Sequence, residues 1–116
     1  MKALLKKSSA AEPFSFSFVN DEGKMVLKSE NYKAKDSASK GINSVKKNCT
    51  EDKRYVLKES TNGMYFFNVK SANGQVVATS AMYPSVQDRT DAINHVKTNA
   101  PGCSIEEQLG LSLIHI

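Results

Sequence analysis

A chain of 116 residues, 24% charged and 40% hydrophobic, has the composition of a single globular domain. It is neither disordered nor membrane-spanning, since no run approaches the ~18 apolar residues of a bilayer crossing. The formal charge of +4 is uneven: residues 1–13 give +2 and residues 14–49 give +3, while residues 101–116 give −2. Only Arg54 and Arg89 among the sixteen basic residues are arginines, the side chain suited to bidentate phosphate or guanine contacts, so the excess reads first as a solvated lysine-rich surface.

In chain order, the apolar stretch after Met1 is too short for a secretory segment, which needs about 7–15 apolar residues, and the expected compartment is the cytoplasm. Ala3–Lys7 resembles a strand. Phe14-Ser-Phe-Ser-Phe18 alternates strictly, the period of a half-buried strand with one aromatic face. Asn20–Gly23 is a glycine turn, and Lys24–Ser29 should run back antiparallel. Ala38, Ile42, Val45 and Cys49 then take helical spacing, with Asp36 or Ser37 as the cap and Lys46 and Lys47 in the last turn. Arg54–Glu59 is a further strand, joined through Asn62-Gly63 to Tyr65–Val69. Ala72-Asn73-Gly74 turns the chain into Gln75–Ser80. Val86, Ile93, Val96 and Ala100 form the second helical stripe, and Ser85 with Asp88 resembles a capping box. Asn48 and Asn99 close the helices, and Pro101-Gly102 ends the second.

These elements repeat. Residues 14–49 lie over 65–100 at a constant offset of 51, so Phe16, Gly23, Ser29, Tyr32, Ile42, Asn43 and Val45 recur as Phe67, Gly74, Ser80, Tyr83, Ile93, Asn94 and Val96; upstream, Lys7 and Ser9 fall on Lys58 and Ser60. Duplication of one supersecondary unit predicts an α+β fold of tandem β-β-β-α(-β) repeats: one antiparallel sheet of about six strands, two helices on one face, and a pseudo-twofold axis. Residues 1–50 and 51–106 are the two repeats, sharing one core with Ile42 and Ile93 both inside it, and residues 107–116 are read as a disordered tail.

The stretches Phe14-Ser-Phe-Ser-Phe18, Gly41-Ile-Asn-Ser-Val-Lys-Lys-Asn48, Asn62-Gly-Met-Tyr-Phe-Phe-Asn-Val-Lys70, Ser80-Ala-Met-Tyr83 and Ile93–Asn99 resemble the YegP-like family, uncharacterised small bacterial proteins carrying one or two copies of a domain of unknown function. The resemblance spans roughly residues 3–106 and implies a β(3)-α-β unit in each half, the strand after each helix completing the other half's sheet; Cys103–Glu106 is that last strand here. Two departures stand out: Pro13 in place of the turn glycine seen at Gly63, and Ala92 where the first copy has Gly41. The family brings no catalytic residues and no ligand.

Leu111–Ile116 matches nothing in either repeat and coincides with the translation of a transposon end used in sequencing libraries, so the segment is expected to be foreign and His115 without function.

Cys49 and Cys103 are too few for a disulfide scaffold and are expected as free thiols. His95 has no Cys or His at i±4 and reads as a surface helix residue. Ser29 and Ser80 lie in no nucleophile elbow and should end strands by bonding backbone. Tyr32 and Tyr83 brace the sheet-to-helix crossover or stack on a ligand. Asn43 and Asn94, identical polar residues away from the apolar stripes, are candidate contacts, together with Lys46 and Lys97. No phosphate loop, paired acids or metal spacing appears, so no cofactor and no metal are expected. The leading expectation is a non-catalytic, monomeric interaction module for a protein partner. The alternative is weak, non-specific nucleic-acid binding through Lys33, Lys35, Lys40, Lys46 and Lys47. An unrecognised enzyme is the weakest reading, for want of any acid, base or nucleophile constellation.

Overall fold

The computed structural model describes residues 1–9 and 11–108; the expectation for the final six residues lies outside that range. Three strands, β1 (Lys2–Lys7), β2 (Phe14–Val19) and β3 (Met25–Lys28), lead into α1 (Lys35–Asn48). A short 3-10 turn, Asp52–Arg54, precedes β4 (Tyr55–Glu59), β5 (Tyr65–Lys70) and β6 (Val76–Ser80), which lead into α2 (Val86–Asn99) and then β7 (Ser104–Gln108). All seven strands form one sheet in the order β4-β5-β6-β3-β2-β1-β7. The two meanders meet back to back through β3 and β6, where Leu27 pairs with Ser80 and Lys28 with Thr79.

Alternation sets the faces. Phe16, Phe18, Phe67 and Val69 turn to one side and pack with Ala38, Ile42, Val45 and Cys49 of the first helical segment and Val96 and Ala100 of the second. Both helices therefore cover the same face of the sheet, and the two repeats share one core. Ile42 is fully buried, whereas Ile93 is only half-buried at the margin of that core.

Three hairpins use one turn design. In 20–24, 60–64 and 71–75 the first residue donates its N–H to the carbonyl of the fifth, and the fourth is a glycine at φ +81 to +86°. That left-handed conformation costs glycine nothing and other residues about 1 kcal/mol or more.

Five expectations change in three dimensions. The sheet has seven strands and is mixed, because β7 runs parallel to β1. The α1 connection delivers β4 antiparallel to β3; the duplicated α2 connection delivers β7 antiparallel to β6, and β1 already has that direction. Glu107 and Gln108 belong to this strand, beyond the boundary drawn at residue 106, and Lys35 holds Glu107 at 2.9 Å. Upstream of Phe14 the offset between repeats is 52, since Leu5 pairs with Phe16 as Leu57 pairs with Phe67. Lys6 and Ser8, not Lys7 and Ser9, therefore match Lys58 and Ser60, and the first loop is one residue longer. Pro13 occupies the place of Met64, its carbonyl accepting from Ser8 as that of Met64 accepts from Ser60. Finally, α1 is preceded by Ala34 with no side-chain cap, and Asp36 lies inside the first turn, where a carboxylate favours the helix dipole. Ser85 does cap α2, its hydroxyl accepting from the Asp88 N–H at 3.1 Å.

Candidate functional site

The duplicated serines are structural. The Ser29 hydroxyl accepts from the Phe16 N–H at 2.9 Å and donates to the Glu30 carbonyl; that of Ser80 accepts from Phe67 at 2.9 Å and donates to Ala81. Each satisfies a strand N–H where the meander ends and gives its own proton to a neighbouring carbonyl. Tyr32 and Tyr83 repeat a second device: their backbones pair with Phe14 and Tyr65 as isolated bridges, and the Tyr32 ring stacks on Phe16 at 6.4 Å. Burial pushes both phenols above their usual range.

The other candidates are spread over the surface. Asn43 and Asn94 are both exposed on their helices. Asn43 lines a 390 Å³ cleft between α1 and the β5–β6 turn, with Ser44, Lys47, Asn48, Ser71 and Asn73. Lys46 donates to the Cys103 carbonyl at 2.9 Å. Lys97 pairs with Asp52 and lies 5.6 Å over the Tyr55 ring. The six residues form three pseudo-symmetric pairs and not one site.

His95 does not face open solvent. Its ring is half-buried, Nδ1 is 3.0 Å from the Asn99 amide nitrogen, and Nε2 is buried without a partner. It lines a 520 Å³ cleft with Asp21, Glu22, Asp88 and Asp91, floored by Val26 and Ala92. The N-terminal ammonium bonds Asp21 at 2.8 Å and holds its carboxyl below the usual carboxylate range. At the pseudo-symmetric position stands the Asn43 cleft, which has no carboxylate, so the acidity comes from divergence of the copies and not from the fold. Among the described residues no group of three or more His, Cys, Asp or Glu is arranged to hold a metal.

Both cysteines are free and buried. Burial raises the Cys49 thiol to about 11; it also raises Cys103, with Lys46 pulling the other way. Thiols in this state are poor nucleophiles.

One residue escaped the sequence reading. Arg89 is only 9% exposed, in the core-facing position that Ala38 fills in α1. Its guanidinium lies 5.3 Å over the Tyr65 ring and donates to the Lys58 carbonyl at 2.9 Å, and among the described residues no ion pair is formed with it. The signal was present: an arginine in an apolar stripe where the other copy has alanine.

Among the described residues, no helix covers the opposite face of the sheet. Cross-strand pairing aligns Ser17, Lys28, Thr79 and Asn68 along one row of that face, with Lys6 beside Ser15 and Lys58 beside Phe66. A 420 Å³ groove there is lined by Lys6, Ser15, Ser17, Lys28 and Thr79, and Glu30 is its one carboxylate.

A domain of unknown function (DUF1508) matches the chain twice, at residues 9–55 and 60–107. The UPF0339 protein YegP of Escherichia coli (strain K12) is 39% identical over 103 residues, covering 89% of this chain and 93% of that protein. A UPF0339 protein of Acinetobacter baylyi is 43% identical over 88 residues, covering 76% and 79%. Among solved structures, the solution structure of E. coli yegP, a protein of unknown function, superposes with a TM-score of 0.86 at 38% identity over 94% of this chain and 93% of that one. The Shewanella oneidensis UPF0339 protein superposes at 0.89 with 33% identity, over 99% and 97%. Two serial matches, near-full coverage and a shared fold place this chain in the uncharacterised UPF0339 family of YegP-like proteins, built from two copies of the DUF1508 domain.

Proposed function

We propose that this protein is a non-catalytic, cytoplasmic binding module whose contact surface is the uncovered face of the sheet, and that it meets a protein partner presenting carboxylates. The observation that carries the reading is the set of exposed lysines on this face, Lys6, Lys28 and Lys58, near the half-buried hydroxyls of Ser15 and Thr79, with Ser17 and Asn68 buried between the strands. The lysine ammoniums, with the short hydroxyls of Ser15 and Thr79 beside them, offer donors to an anionic surface, while the Asn68 amide is already spent on Thr79. The relatives are proteins of unknown function, the Ser29 and Ser80 hydroxyls are engaged with backbone, and both thiols are buried. Free thiols fit a reducing compartment, and no helix among the described residues is long and apolar enough to cross a membrane.

The second reading, weak binding of nucleic acid, rests on Lys33, Lys35, Lys40, Lys46 and Lys47 near the first helix. The first-helix set is less available than its composition implied, because Lys35 and Lys46 are engaged with Glu107 and the Cys103 carbonyl. Titration of labelled protein with polyglutamate, and separately with single- and double-stranded oligonucleotides, at two salt concentrations tests both readings. Amide shifts from polyglutamate clustered on Lys6, Ser15, Ser17, Lys28 and Thr79, abolished by Lys6→Glu with Lys28→Glu, support the module. Oligonucleotide binding tighter than about 10⁻⁴–10⁻⁶ M that survives raised salt overturns it.

A further inference from the structure

Leu5 and Leu57 occupy the same position in the two repeats, yet Leu5 is 1% exposed and Leu57 58%. The difference is one strand: β7 lies along the outer edge of β1, and among the described residues nothing lies along β4. Val86, the first residue of α2 and the counterpart of Lys35, is 50% exposed on that side.

The hydrogen-bonding capacity of this edge follows from the register. Tyr65 exchanges both backbone bonds with Tyr83, so Phe66 and Asn68 address β4, and their partners Lys58 and Val56 face inward. Tyr55, Leu57 and Glu59 therefore face outward. The Tyr55 N–H is taken by the Asp52 carbonyl, which leaves the Leu57 and Glu59 N–H groups as donors and the Tyr55 and Leu57 carbonyls as acceptors.

We propose that this edge pairs with the same edge of a second copy, antiparallel about a twofold axis at Leu57. In that register all four free donors find acceptors, Leu57 with Leu57 of the other copy in both directions and each Glu59 with a Tyr55 carbonyl. On the helix side Leu57 packs against its own mate. Lys58 stands across from Val56 and Glu59 across from Tyr55, so no like charges meet. On the β7 edge a twofold pairing centred on Glu106 or Glu107 sets carboxylates face to face, and only one centred on Ile105 avoids this, so protection gained along β7 is a distinguishing outcome of the test. Each copy is already folded through its internal pseudo-twofold, and one strand pair buries far less than the ~1,200–2,000 Å² of a stable dimer, so the association is weak and reversible.

Sedimentation equilibrium of the full chain from about 0.02 to 2 mM should show the mass climbing from one chain toward two. Hydrogen exchange should show protection gained at Leu57 and Glu59 with concentration, while Val56 and Lys58, already bonded in the sheet, do not change. Leu57→Lys should abolish the rise at unchanged melting temperature. Val56→Glu, which sets a carboxylate across from each Lys58, should tighten association roughly threefold or more. A single-chain mass at the highest concentration overturns the proposal, as does a rise that survives Leu57→Lys or protection gained along β7 instead.

Discussion

A methyl group on Gly41 would stand 2.6 Å from Cε2 of Phe16 and 2.9 Å from the Tyr32 hydroxyl. The stacked pair of rings thus occupies the volume that Ala92 fills with its own side chain in α2. Gly41→Ala is expected to cost about 1–3 kcal/mol by overpacking, despite the better helix propensity of alanine. Ala92→Gly should cost only about 0.5–1 kcal/mol. Urea unfolding of both variants checks the asymmetry.

The two serines that cap strand N–H groups should differ in worth. Phe67 and its Ser80 acceptor are buried, whereas the Phe16–Ser29 bond is part-buried. Ser80→Ala is expected to destabilise by about 1–3 kcal/mol, the cost of an orphaned buried donor, and Ser29→Ala by less because water reaches the site. Equal losses in chemical denaturation would contradict this.

Arg89 should act through packing as well as through hydrogen bonding. Its stem lies in the core stripe, so Arg89→Met is expected to retain most of the stability, while Arg89→Ala loses about 1–3 kcal/mol with the stem, the ring contact and the bond to Lys58. Thermal melts of the two variants separate the contributions.

The buried thiols set an alkaline limit. Cys49 ionises near pH 11 in the folded chain but near pH 8.5 when unfolded. The unfolded state therefore releases its proton first, and the stability that the buried thiol confers, complete below about pH 8.5, is lost as pH rises toward 11. Cys49→Ala should flatten that decline, measured by denaturation between pH 8 and about 11. At pH 7 both cysteines of the folded protein should react slowly with a thiol reagent.

The two homologous isoleucines should not be equivalent. Ile42→Ala is expected to cost about 2–5 kcal/mol, and Ile93→Ala the lower end of that range or less, since Ile93 is half-buried. Unfolding of the paired variants in one buffer decides it.

The amino-acid sequence alone determined the two-copy architecture. Strict alternation at Phe14–Phe18, the i, i+4, i+7 stripe of Ala38, Ile42 and Val45, and glycines at fixed turn positions are local signals that name strands, helices and hairpins, and their recurrence named the pseudo-twofold. The pairing of the serines with strand ends was legible for the same reason. Tertiary structure decided what depends on partners distant in the chain. The parallel seat of β7, the register of 52 before Phe14 and the engagement of Lys35 and Lys46 follow from which edge and which carbonyl each segment meets. The burial of Arg89 and the unequal exposure of Leu5 and Leu57 arise where the copies share a sequence position but not its surroundings. Periodicity encodes which side of an element is apolar; it carries no record of whether another strand lies alongside to cover it.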